Sequence, residues 1–234
     1  DVRIAVDDDI TVAAAGTGTA RSLAVAGVAS SNVAAGGSSS NALVDNTIAA
    51  RVSGLHGLAG DGAGADRLQV TAANRGTAES LAGAISAGSS VAVGGALSVN
   101  HVGGETSATL ADSVLAVRDQ VAVDARSEAL VNTVAGTGSA SGVGIAGAAT
   151  TNVITGSTRA TLADTALDSA TAGTHVVAID SNQINSVAGS LGFGSNVGVG
   201  AAVAVNVIDR NVDAQVLGGA QNRRYHGRDL LVHA

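Results

Sequence analysis

The chain lacks cysteine, proline, methionine and tryptophan, and its 234 residues include one phenylalanine, Phe193, and one tyrosine, Tyr225. Without cysteine there is no disulfide framework, no thiol nucleophile and no cysteine-ligated zinc. Lysine is missing as well, so all 12 basic residues are arginines, set against 19 acidic residues for a net charge of -7. Only Arg223, Arg224 and Arg228 cluster. That balance argues against nucleic acid as a partner. Collagen is excluded, since proline is absent and glycine has no period of three. A hydrophobic content of 46% excludes disorder through low hydropathy. Long charge-free runs do occur, as at 181–208, but Asn182, Gln183, Asn185, Asn196 and Asn206 interrupt this one. A membrane-spanning helix needs about 20 mostly apolar residues, so no membrane insertion is expected of this segment. With almost no aromatics, a core here must consist of thin layers of small side chains.

What is present is repetition. Ala14-Ala15-Gly16, Leu81-Ala82-Gly83, Val134-Ala135-Gly136 and Val187-Ala188-Gly189 open four comparable segments, their glycines 67, 53 and 53 residues apart. Each segment reaches an asparagine (Asn32, Asn100, Asn152, Asn206) and then a block ending in Asp45, Asp112, Asp164 or Gly218. Four repeats of about 53 residues are implied, over approximately 9–73, 74–126, 127–180 and 181–234. The first carries a Gly-rich insertion near 51–64, 14 residues long by the 67-residue spacing. The chain does not start with Met and stops in mid-pattern at Leu230–Ala234, so 1–234 reads as one segment of a longer protein.

Within a repeat, Val91, Val93, Leu97 and Val99 alternate with Ala92, Gly94, Ala96, Ser98 and Asn100. Period two marks a strand, and frequent Gly with β-branched residues disfavours helix. Short strands at a fixed long period predict an all-β chain, a parallel β-helix or β-solenoid whose neighbouring units share one core. Two coils per repeat are expected, with one wide flattened coil as the alternative. The larger side chains are expected to face the core, and the small face to pack internally on an opposite sheet.

The residues that could carry chemistry read mainly as structure. Asn32, Asn100, Asn152 and Asn206 suit a stacked amide ladder between coils. The Asp45, Asp112 and Asp164 column, which glycine replaces at 218, suits a turn. Gly60–Leu68 approaches a calcium-binding nonapeptide, but one copy cannot supply ligands from two successive turns. The five histidines have no ligand spacing. The cluster Arg223, Arg224, Tyr225 and Arg228 is the best candidate contact loop. No catalytic constellation, cofactor site or metal site is found, and no enzyme activity is expected.

The units of the form V-A-G…V-x-V-G-(G/A)-A-x-x-V-N followed by A-T-L-A-D, best seen at Val91–Asn100, Gly198–Asn206 and Thr106–Asp112, resemble the repeat arrays of large secreted bacterial filamentous adhesins of the haemagglutinin and leukotoxin-like type. The resemblance covers most of 10–218. It implies a β-solenoid exported by a type V (autotransporter or two-partner) route to the bacterial cell surface or the extracellular medium. It also implies a structural and adhesive rod, with ligands on host cells, matrix or neighbouring cells and with self-association. Two other readings use the same fold: a polysaccharide-active β-helix enzyme, and a flat-face module binding ice or carbohydrate. The scarcity of aromatics weighs against the first, the lack of a regular Thr lattice against the second.

Overall fold

The computed structural model describes residues 8–55, 65–168, 171–218 and 225–234. Its elements are β1 (Ile10–Ser30), β2 (Val33–Ser53), β3 (Arg67–Gly88), β4 (Val91–Ala111), β5 (Val114–Leu115), β6 (Gln120–Ala163), β7 (Ala166–Asp168), β8 (Gly173–Leu217), β9 (Tyr225–His226) and β10 (Asp229–His233). Every pairing is parallel. The chain is a parallel β-solenoid.

Each repeat makes one wide coil, not two. The chain runs out along one long strand, turns at a Gly/Ser-rich tip, and returns along a second. β6 shows this within one element: Gln120–Ala140 pairs with β3, whereas Val143–Ala163 pairs with β4, and the register shifts between Ser141 and Val143. The first sheet stacks β1, β3, the first half of β6, the first half of β8 and β10. The second stacks β2, β4 and the second halves of β6 and β8. Short strands β5, β7 and β9 close the coil at its base.

Coils begin at Ile10, Arg67, Gln120 and Gly173, some seven residues ahead of the boundaries expected for the later repeats. The first coil is also shorter than expected. Ile10 pairs with Leu68, a spacing of 58, and Leu68 with Val121, a spacing of 53, so the insertion is five residues rather than 14. It falls between Ser53 and Arg67; residues 56–64 lie outside the described residues. The physical reason is that Ala/Gly triplets recur within a strand. Gly16, aligned above with Gly83, is instead the partner of Asn74, and Gly83 pairs with Val25.

The interior changes character from base to tip. At the base, Leu68, Val70, Leu110, Leu115, Val121, Val123 and Val176 are fully buried and form the thick part of the core. A second, smaller cluster holds Val44, Val102, Val131 and Ile154. Toward the tip the core is only Ala82, Ala96, Ala135 and Ala148. There the sheets approach so closely that a Cβ on Gly144 would come within 2.3 Å of the Phe193 carbonyl oxygen, and one on Gly198 within 2.3 Å of the Gly192 oxygen.

This reverses one expectation. In the tip half the small residues face inward, as expected, but the large ones face out: Leu23, Val25, Ile85, Val93, Leu97 and Ile145 are all exposed. With a period of two, the closely packed face is lined by Gly, Ala, Ser and Thr, which leaves the aliphatic set on the solvent side. At the base the same alternation places Leu and Val inside. Each coil is a wedge, thick at one end and thin at the other.

Candidate functional site

The interior carries two polar layers across the coils. The first is an amide ladder. Asn100 donates from Nδ2 to Asn152 Oδ1 at 2.8 Å, and Asn152 donates from Nδ2 to Asn206 Oδ1 at 2.8 Å. Thr133, on the facing sheet, lies within hydrogen-bond reach of both Asn100 and Asn152. Asn32 stands apart from this stack. It sits exposed at the tip, where its side chain accepts from Ser90 Oγ, and the first-coil position in the column is taken by Ala42. As a result the Asn100 Oδ1 atom is buried with no donor among the described residues.

The second layer was not visible in the sequence. Register aligns Asn46, Gly104, Gly156 and Arg210 in one column, facing Gly16, Asn74, Ser127 and Asp180 across the interior. Asn46 bonds Asn74 in the first two coils. In the last, Arg210 and Asp180 form an ion pair at 2.7 Å with side chains only 5% and 2% exposed. A guanidinium has five N–H donors in a fixed fork. Here Nε binds Asp180 Oδ2, Nη1 reaches the carbonyls of Thr155 and Gly104, and Nη2 reaches Ser127 Oγ and Thr158 Oγ1. Thr158 also donates to Asp180 Oδ2 at 3.1 Å. The side chain thus runs back along the axis over two glycines. Gly104 and Gly156 hold φ of 135° and 126°, which side chains of L-residues rarely adopt.

The aspartate column is a corner. Asp112 and Asp164 take left-handed φ values of 50° and 44°, and the first-coil equivalent is Gly54 at 70°. Each donates its N–H to the next coil, to Ala111, Ala163 and Leu217 in order from Gly54. Asp and Gly alternate there because both tolerate left-handed backbone better than most residues. Asp45 is not part of this corner; it lies within β2 opposite Gly103.

Outer-face charges pair between coils. Arg21 binds Glu79 at 2.6 Å and Arg75 approaches Glu128 at 3.7 Å, each with its register partner. At the base corner Arg118 binds Asp66 and Arg67 binds Asp119, both at 2.8 Å. The Asp119 hydrogen bond and charge raise the Arg67 pKa above its ordinary value. Such exposed pairs are screened by solvent and contribute little to stability. Among the described residues no group of three His, Cys, Asp or Glu side chains is placed to hold a metal ion.

Of the candidate contact loop, Arg223 and Arg224 lie outside the described residues, as does most of the calcium-like segment. Tyr225 pairs with Leu167 in the short base sheet, and exposed Arg228 donates its N–H to Ala172.

One broad surface feature is apolar. On the second sheet, Gly37, Gly95, Gly147 and Ala201 stack in register and floor a trough of about 660 Å³. One wall is the column Ser39, Leu97, Ala149 and Val203. Its geometry offers shape and apolar contact, with no acid, base or nucleophile at its floor. The chain matches no family model, no curated protein and no solved structure.

Proposed function

We propose that this chain is a structural and adhesive rod segment of a secreted or surface-displayed bacterial filament, and that it does no chemistry. The observation that carries the reading is the parallel register: Ala50, Ala108, Ala160 and Ala214 form one column through all four coils, and Gly37, Gly95 and Gly147 and then Asn100, Asn152 and Asn206 form columns through three. A fold of this kind sets length, because each further coil adds about 4.8 Å to the axis. It also displays side chains in straight columns, which suits contact with another extended surface. The likeness of Val91–Asn100, Gly198–Asn206 and Thr106–Asp112 to filamentous adhesin repeats supports the same reading.

Two experiments test it. Electron microscopy of tandem copies of coils 67–172 should show rods whose length grows with coil number; compact particles would overturn the rod. Beads coated with the chain should bind matrix or bacterial surfaces above beads coated with an unrelated acidic protein. Equal binding would remove adhesion from the proposal while leaving the rod.

A further inference from the structure

Among the described residues nothing covers the outer face of the second sheet. It runs from the column of Val33 to the column of Leu43 and contains no Asp, Glu or Arg side chain in any of the four coils; its polar members are Ser39, Asn41 and Thr151, with His101 at the rim. Six outward positions along strands rising about 3.3 Å per residue, over four coils about 4.8 Å apart, span about 700 Å². A standard protein–protein interface buries about 800 Å² on each partner. Apolar patches of this size on soluble chains mark contact surfaces.

The columns also complement each other in size. The trough of Gly37, Gly95, Gly147 and Ala201 lies directly beside the ridge that includes Leu97 and Val203. Rotate a second copy by a half-turn about an axis parallel to the stacking direction, placed between these columns. The ridge column then faces the other copy's trough, coil against coil, with a large side chain over the trough in the second and fourth coils and Ser39 and Ala149 over it in the first and third. Leu97 meets Gly95 and Val203 meets Ala201, while Val93 meets Val99 and Val199 meets Val205. An acyl chain or a bilayer would need the apolar surface but not this match of columns.

We propose that two copies of this chain pair laterally through the outer face of the second sheet, as an isologous dimer with strands antiparallel and coil order the same. The two-fold relation makes one patch sufficient for both partners. The pairing does not depend on what the rod adheres to.

Sedimentation of the 234-residue chain should show a concentration-dependent species of twice 22.3 kDa. Leu97→Arg should weaken it on the order of a hundredfold, because the charge would be buried at the centre. Gly95→Leu should do the same by filling the trough; its Cβ meets nothing within 4 Å of its own chain. Leu81→Arg, on the first sheet, should leave the dimer intact. Since the chain has no cysteine, Gly95→Cys mixed with Leu97→Cys should form a disulfide-linked dimer faster than either variant alone. A monomer at every concentration, dissociation by Leu81→Arg but not by Leu97→Arg, or a monomer that binds phosphatidylcholine vesicles through this face would each overturn the proposal.

Discussion

The guanidinium of Arg210 occupies space that a side chain on Gly156, one coil earlier, would claim: a Cβ there would lie 2.5 Å from Nη1 and 2.0 Å from the Gly104 oxygen. The two residues are register partners, so a long cation and two glycines form one device. Gly156→Ala is expected to lower stability by about 1–3 kcal/mol through backbone strain alone, with more from the clash. Thermal unfolding followed by circular dichroism measures it; an unchanged midpoint would show that the column is looser than this geometry.

The ion pair makes a separate prediction. Arg210→Gly leaves the Asp180 carboxylate buried without its cation, which costs about 3–5 kcal/mol. Asp180→Ser with Arg210→Gly reproduces the Ser127 and Gly156 combination that the third coil already uses. The double variant should therefore be more stable than Arg210→Gly. Denaturant titration of the variants tests this, and additive losses would sink it.

At the base corner, Asp112→Gly should be tolerated and Asp112→Val should not. The φ of 50° is costly for a β-branched side chain, on the order of 1–2 kcal/mol. Comparing the midpoints of the two variants decides the matter.

The amide ladder ends one coil early. Ala42 is buried beneath Asn100, whose Oδ1 lacks a donor. Ala42→Asn should supply one and raise stability by about 0.5–1.5 kcal/mol. Asn152→Ala breaks the ladder on both sides and should lower it by about 1–3 kcal/mol. If Asn152→Ala proves neutral, the ladder is incidental to stability.

Ala148→Arg should destabilise by several kcal/mol, since that methyl lies in the closely packed tip core at 5% exposure. Ala202→Arg, exposed in the last coil, should fold normally. Equal loss in both variants would mean that the last coil is buried in solution.

Parallel strands, the repeat of about 53 residues and the stacking of Asn100, Asn152 and Asn206 were all legible in the sequence, because period-two alternation and a repeated polar landmark survive without tertiary information. The register of the first coil was not. Gly16 and Gly83 share an Ala-Gly context, but the pairing that buries the first coil's Ala42 and Val44 beside Asn100 and Val102 is nine residues away. The direction of the two faces was also hidden. Alternation fixes that Val93 and Ala92 point oppositely; only the distance between the sheets decides which points in. Nor could the Arg210 pocket be read, since it depends on glycines one and two coils earlier. Aspartate at 112 and 164 was read correctly as a turn from its exchange with glycine, and the left-handed backbone supplies the reason.

The parallel ladders have a mechanical consequence. Because the chain's long strands bond mainly to the coil before and the coil after, a pull on the two ends along the axis loads these ladders in succession rather than together. Each coil that peels away frees about 53 residues, whose extended length is roughly 180 Å, while the stack of coils shortens by only about 5 Å. Stretched between two anchored surfaces, such a segment would act as a shock absorber, yielding one coil at a time and lengthening many-fold before the tether itself is strained.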